Sequence, residues 1–434
     1  MNSSHGSSGA PESTPQSMCK QIALGAVLTT TKGFGDPERE RAFDRARELC
    51  QQIGETPQLF SVLWGLCQSY IEQGRLQTAR ELAEELMPLV QRDQDPALLL
   101  AAHETLGETL FWPGGPAPAL EHFEHGIALY DPQQHRSLVS LYGGDLGVLC
   151  RGFAAWSLWL LGYPDQAQKR IHEDFTLAQE LSHPYSVATA LLFATWLHQL
   201  RWEGQMAQEQ AEAMIALCSE HGFAEWLAFG TILRGWALAV QGQGEEGIAQ
   251  MRQGLDAWRA AGSETARTYW LALLAEAYGK GGQVEEGLSA LTEALATVDK
   301  NGEHFYEAEV SRLKGTLTLQ KSSVQGLESS VQKNQKAKGK GQKTKVSHTQ
   351  HPTPSPQAEA EAEACFHKAI EIAHRQQAKS LELRAVMSLS RLWQSQGKKA
   401  EARQMLAEIY GWFTEGFDTA DLKEARALLE GLGH

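Results

Sequence analysis

The stretch LALLAEAYGKGGQVEEGLSALTEAL, residues 271–295, reads as a helix, a hard stop and a second helix. Leu271, Leu274 and Tyr278 recur at the spacing of one helix face, and Leu291 supplies the large residue on the next segment. Small residues stand at Ala275, Gly287 and Ala294, where two antiparallel helices must approach closely. Between them Gly282 can take the left-handed conformation that ends a helix within one turn, which a side chain resists.

Working outward, the signal repeats. A glycine closes a helical segment at Gly74, Gly114, Gly162, Gly204, Gly242, Gly282 and again at Gly397, and the first five spacings are 40, 48, 42, 38 and 40 residues. Around Gly114 the small positions are Gly107, Ala119 and Gly126, with Leu106, Leu110 and Phe123 as large partners. Leu66, Tyr70 and Ala79 extend the pattern toward the start, and Leu389, Trp393, Ala402 and Leu406 toward the end. Two departures stand out: Ala83 and Leu86 exchange the large and small places, and Glu209 falls where the Gly204 unit needs a small residue. Longer helices and one or two irregular joints are expected. Ala, Leu, Glu and Gln dominate over β-branched residues, so the fold class predicted is all-α, a superhelical αα-solenoid of about eight helix pairs with no sheet. A stack of this kind also escapes the size limit of a single globular core, which 434 residues would exceed.

The order of large, Leu-Gly, aromatic, Ala, Phe and Ala positions resembles the tetratricopeptide repeat over most of the chain. A narrower resemblance rests on TKGFGDPE (31–38), TPQLFSVLWGL (56–66), LYDPQQHRSLVSLYGGD (129–145), LRGWALAVQGQGEEGIAQMRQGLDAWRAAG (233–262) and YGWFTEGFDTADLKEA (410–425). These phrases look like the C-terminal helical region of bacterial signalling ATPases, where it follows a STAND-type nucleotide-binding domain, often with an adenylate cyclase or Ser/Thr kinase domain. The resemblance implies a sensor or regulatory arm acting on an ATPase, cyclase or kinase domain encoded elsewhere. It carries no cyclase or ATPase activity over to these residues.

Net charge is −14, and residues 321–356 contribute a local +6 from seven Lys and one Glu, which leaves −20 for the remainder. Nucleic acid is therefore not expected on the helical body, only on that basic segment. The expected organisation is a disordered terminus at 1–16, a repeat array at 17–320, a disordered Lys-rich insertion at 321–356, and final helix pairs with a capping helix at 357–434. The insertion interrupts a pair between a first helix from Glu307 to about Leu319 and a second from about Ala358 to Arg375. Its KGKGQKT run lacks the spacing of a phosphate-binding loop. The six cysteines are scattered without a C-x-x-C pair, and no run approaches ~18 apolar residues, so a cytoplasmic chain without a membrane span is expected.

No catalytic, cofactor or metal set emerges. His122 and His125 lie three apart but outside any HExxH arrangement, and they read as solvent-exposed; no G-x-S-x-G occurs. The twelve tryptophans carry the functional signal. With the unit glycines as register, the resemblance to the tetratricopeptide family implies that Trp64, Glu104, Glu108, Trp112, Trp156, Trp159, His198, Trp202, Trp236, Tyr269 and Glu276 line its concave groove. Aromatic anchors and carboxylates in such a groove suit a peptide or partner domain, so a non-catalytic interaction scaffold or sensor arm is the reading; the alternatives are a small-molecule effector sensor, or a fragment of a STAND ATPase or adenylate cyclase whose catalytic domains are absent from these residues.

Overall fold

A computed structural model describes residues 14–54, 58–93, 95–338 and 354–433. Helices account for every regular element among them. The chain runs as antiparallel pairs: α1 (Thr14–Lys32) with α2 (Pro37–Ile53), α3 (Leu59–Glu72) with α4 (Leu76–Asp93), and α5 (Pro96–Phe111) with α6 (Pro116–Leu129). Two single-turn helices, α7 (Pro132–His135) and α8 (Val139–Tyr142), then flank a 3₁₀ turn. The pairs resume as α9 (Leu146–Leu160) with α10 (Pro164–Leu181), α11 (Pro184–Leu200) with α12 (Gly204–His221), and α13 (Ala224–Val240) with α14 (Gly244–Ala260). They end with α15 (Arg267–Lys280) and α16 (Val284–Asn301), α17 (Glu307–Lys338) and α18 (Pro356–Arg375), α19 (Lys379–Ser395) and α20 (Lys399–Tyr410), and the terminal α21 (Ala420–Leu432).

Local sequence sets the starts. Proline occupies the first helical position of α2, α5, α6, α10, α11 and α18, where its missing N–H costs nothing and its fixed φ suits the helix. Asp36, Asp95, Asp145 and Ser355 cap orphan N–H groups with their side chains.

The register of one unit differs from the sequence reading. Positive-φ glycines end the first helix at Gly33, Gly74, Gly114, Gly162, Gly242, Gly282 and Gly397, but between α11 and α12 the residue is Trp202, with φ 63°, and Gly204 instead opens α12. Gly162, Trp202 and Gly242 therefore stand 40 residues apart. The misfit at Glu209 disappears, because the close-packing position five residues after the turn is Ala207, which is fully buried. The irregular joint is the segment holding α7 and α8, the source of the 48-residue spacing. A second difference lies at α17, which continues to Lys338 rather than stopping near Leu319; residues 339–353 of the expected disordered insertion, and 1–13 of the expected disordered terminus, fall outside the described residues.

The stack curls until helix pairs five places apart meet. The carbonyl of Glu72, at the end of α3, accepts from the N–H groups of Glu264 (2.6 Å) and Thr265 (3.1 Å), just before α15. The carbonyl of Trp112, at the end of α5, accepts from His304 (3.0 Å) and Phe305 (3.1 Å), just before α17. Ser380, at the start of α19, donates to the carbonyl of Trp159 at 2.6 Å, and Glu415, ahead of α21, accepts from the N–H groups of Asp165 and Gln166, both at 3.0 Å. At the other edge Glu225, at the start of α13, accepts from the Phe34 N–H between α1 and α2 at 3.2 Å. Carbonyls left without partners at helix C-termini are thus satisfied by the next superhelical turn.

Packing within pairs depends on backbone proximity where glycines face each other. A Cβ at Gly235 on α13 would lie 2.6 Å from the Gly247 carbonyl oxygen on α14 and 2.8 Å from the Met251 nitrogen. Backbone cannot yield as a side chain can, so Gly235→Ala is expected to lower stability by about 1–3 kcal/mol through overpacking, outweighing a helix-propensity gain of about 0.5–1 kcal/mol. Gly244→Ala, where a Cβ meets open space, should be neutral or stabilising. Urea-unfolding midpoints of the two variants check the contrast, and equal midpoints would contradict it.

Candidate functional site

The eleven groove positions all lie on first helices of pairs or at their C-terminal ends. They do not form one trough. Stacking of the second superhelical turn on the first divides them between an interior chamber, a packed seam and an open groove.

Trp64, Glu104, Glu108, Trp112 and Trp156 line the chamber, joined by Glu72, Gln68, Trp196, Trp226 and the cross-turn residues Phe34 and Thr265. Its volume is about 60 Å³. The walls are rigidly interlocked: Trp156 and Trp196 ring centroids are 4.1 Å apart, the Trp156 indole donates to the Phe193 carbonyl at 3.1 Å, and Trp112 meets Phe305 at 5.3 Å. Glu108 accepts from Gln68 Nε2 at 3.1 Å and from Trp112 Nε1 at 3.3 Å. Glu104 accepts from the Thr105 hydroxyl at 3.2 Å. Glu72 Oε2 and the indole nitrogens of Trp64 and Trp226 are buried without an ordinary hydrogen bond.

The seam consists of Trp159, His198, Trp236 and Tyr269. Tyr269 stacks on Trp196 at 4.0 Å and donates its hydroxyl to Gln199 at 2.6 Å. His198 is hydrogen-bonded to Glu203 at 2.6 Å, and Trp159 lies under the Arg384 guanidinium at 4.9 Å. Trp236 donates to Glu276 Oε2 at 3.0 Å. These side chains are committed to holding neighbouring helices together.

Trp202 and Glu276 reach the open groove, a space of about 630 Å³ between the inner sides of α15, α17, α19 and α21. Its charges are mixed rather than acidic. Arg384 binds Asp421 Oδ2 at 2.9 Å and the Leu200 carbonyl at 2.5 Å, while Arg312 makes a two-pronged pair with Glu309 at 2.6 and 2.8 Å. Arg391 pairs with Glu424 across the rim. The Trp202 ring forms a plate with Lys280 Nζ 4.5 Å from its centroid on one side and Arg384 at 5.6 Å.

Sequence reasoning missed Glu72, Trp196, Trp226, Phe34 and Thr265. Glu72 sits two residues before a unit glycine and Trp196 six before Trp202, so a corrected register supplies a signal for both. Phe34 and Thr265 lie in loops and join the chamber only through contacts between turns. His122 is half-buried rather than exposed, with its Nδ1 3.1 Å from Nδ1 of His103 on α5, and the His125 ring is 5.1 Å from His103. Burial, then the two neighbouring imidazoles, push His103 down to about 4. Among the described residues no group of three His, Cys, Asp or Glu has an arrangement that could hold a metal ion. Cys50, Cys67, Cys150 and Cys218 are buried; Cys365 is partly covered and Cys19 exposed.

Burial dominates the chamber electrostatics. It pushes the Glu108 carboxyl up to about 7 against the hydrogen bonds from Gln68 and Trp112, and it raises Glu104 and Glu72 further, with the neighbouring carboxylates adding to the effect. A carboxyl raised in the folded state keeps a proton that the unfolded chain releases, so this term stabilises at low pH and is lost as pH rises from about 4.5 to about 7. Glu108→Gln should therefore flatten the fall in unfolding midpoint across that window, recovering on the order of 1–3 kcal/mol at pH 7.5. Midpoints measured every half unit for both proteins test this, and parallel curves would sink it.

No known family profile matches the chain. It is 22% identical over 298 residues to an uncharacterised protein from Rhizobium meliloti (strain 1021), an alignment covering 68% of this chain and only 29% of that much longer relative. Among solved structures it is similar to a Rap protein complexed with competence and sporulation factor, with a TM-score of 0.51 and 10% identity over 90% of this chain and 100% of the other. It is also similar to the STAND protein with a tetratricopeptide-repeat sensor from Pyrococcus horikoshii, with a TM-score of 0.38 and 12% identity over 92% of this chain and 54% of that one. No described helix is long and apolar enough to cross a membrane. The chain is a helical-repeat protein of the tetratricopeptide type, wound into a superhelix whose turns touch.

Proposed function

We propose that the open groove binds an extended segment of a partner protein and that the chain works as a non-catalytic interaction arm of a signalling system. The observation that carries this reading is Trp202. Among the described turns within helix pairs it alone replaces glycine in the left-handed conformation, which costs an L-residue with a side chain about 1–2 kcal/mol. Contacts with Trp236, Lys280 and Arg384 return part of this cost, yet the ring stays only partly buried. What the arrangement gains is an indole plate at the mouth of a groove of about 630 Å³, the kind of anchor on which binding energy concentrates.

Groove chemistry narrows the partner. Arg312, Arg384 and Arg391 are already paired, and Glu276 is held by Trp236, so no single sign of charge dominates. An apolar or aromatic side chain on the Trp202 plate, flanked by backbone groups reaching Gln320 and Lys280, suits these walls better than a strongly basic peptide. The resemblance to signalling ATPases supports a separately encoded ATPase, cyclase or kinase domain as the source of that segment. The Rap neighbour bound to a peptide factor shares the fold at 10% identity, and peptide binding by this chain is a proposal resting on the groove.

The test compares capture from native lysate by the intact chain, by Trp202→Gly and by a chain lacking residues 339–353. Glycine accepts this backbone conformation freely, so Trp202→Gly is expected to keep helicity and melting behaviour while partner retention falls ~10-fold or more. Loss of the 339–353 segment should leave capture unchanged. Undiminished capture by Trp202→Gly removes the groove from consideration, and capture of nucleic acid that vanishes with the loop would assign function to the insertion.

A further inference from the structure

The interior chamber has no part in the groove reading, and its chemistry is unusual for a space between packed helices. Tryptophans from five helical segments face it, and three carboxylates, Glu72, Glu104 and Glu108, are directed into the same small volume. Packing alone does not require that. An apolar core gains nothing from buried carboxylates, each of which must be desolvated, and Gln68 and Thr105 do not neutralise them. Arg39, whose charge reaches Glu72, is bound instead to the Gly65 carbonyl at 2.8 Å, to Thr29 at 2.7 Å and to Ser69. Among the described residues no Lys or Arg lines the chamber, and burial holds protons on the three carboxyls that a bound cation would draw off.

One unpartnered atom points the same way: Glu72 Oε2 is buried without a hydrogen-bond partner in a chamber walled by the Trp64 and Trp226 rings, 2% and 7% exposed. Trp64 lies beside Glu104 yet misses ordinary hydrogen-bond geometry. Aromatic faces stabilise a desolvated cation through the ring quadrupole, by about 2 kcal/mol where water is excluded, and carboxylates supply the directional partners. A volume of about 60 Å³ compares with the roughly 10–15 Å³ one water needs, so about four or five non-hydrogen atoms fit.

We infer that this chamber is a binding site for a small free organic cation, of the guanidinium or alkylammonium class, held between the tryptophan walls and the Glu72, Glu104 and Glu108 carboxylates. A bound cation would join Thr265 and Phe34 of the cross-turn contacts to α3 and α5, and so tighten the two superhelical turns against each other. The site is thus placed to act on the curvature of the whole array.

Methylguanidinium and tetramethylammonium, each titrated to about 10 mM, are the probes, with tert-butanol and methylurea as neutral isosteres and isothermal calorimetry and tryptophan fluorescence as readouts. The expected result is saturable binding of at least one cation, at least ~10-fold weaker binding of its isostere, and a similar loss in Glu108→Gln and Glu104→Gln, both near-isosteric and expected to fold. Trp202→Gly and Glu276→Gln should bind the cation as the intact chain does, which separates this site from the groove. Absence of saturable binding, equal binding of the isosteres, unchanged affinity in both Gln variants, or a co-crystal with only water in the chamber would each overturn the assignment. A capped arginine amide binding more tightly than methylguanidinium would overturn the free-ion source in favour of a peptide side chain.

Discussion

Everything else in this molecule depends on hydrogen bonds from one superhelical turn to the next. Each first helix ends with carbonyls that its own backbone cannot satisfy. At α3 and α5 these are taken by N–H groups from loops five pairs further along, and at α9 by a serine hydroxyl. Such bonds are directional and short, so they fix the pitch of the stack rather than merely permitting it. Without them the array would be an open spiral with one long concave trough; with them, the trough is sealed over its first half and open over its second.

Regular spacing is what lets those bonds form. A 40-residue unit adds the same rotation and rise at each step, and loops five pairs apart then arrive over waiting carbonyls. The one 48-residue spacing accommodates its extra residues as α7 and α8, of which α8 contacts α1, while α6 still packs directly on α9. Regularity fixes where the α11–α12 turn falls, 40 residues from Gly162 and from Gly242, but not that the residue there is Trp202 rather than glycine.

Sealing turns equivalent positions into different environments. Glu108 and Glu276 occupy the same kind of site on their helices, and each accepts a hydrogen bond from an indole, from Trp112 and Trp236 respectively. Glu108 shares a closed space with two other carboxylates, and burial lifts its proton affinity; Glu276 borders the open groove and feels Lys280 and Arg312, which oppose the same effect. The contrast follows from what the second turn places opposite each residue.

The sequence by itself determined the helices and their pairing, because those follow from 3.6-residue periodicity and close-packing residues such as Ala119 and Gly287 a few positions away in the chain. It failed where a local signal misled: Gly204 imitated the turn residue that Trp202 supplies, and the polar segment after Leu319 concealed a helix that continues to Lys338. Tertiary structure alone decided which of the eleven groove positions are enclosed and which are open. That choice rests on contacts such as Glu72 with Thr265 and Trp112 with Phe305, between residues 193 apart in the chain, and curvature accumulated over five units leaves no trace in any one of them.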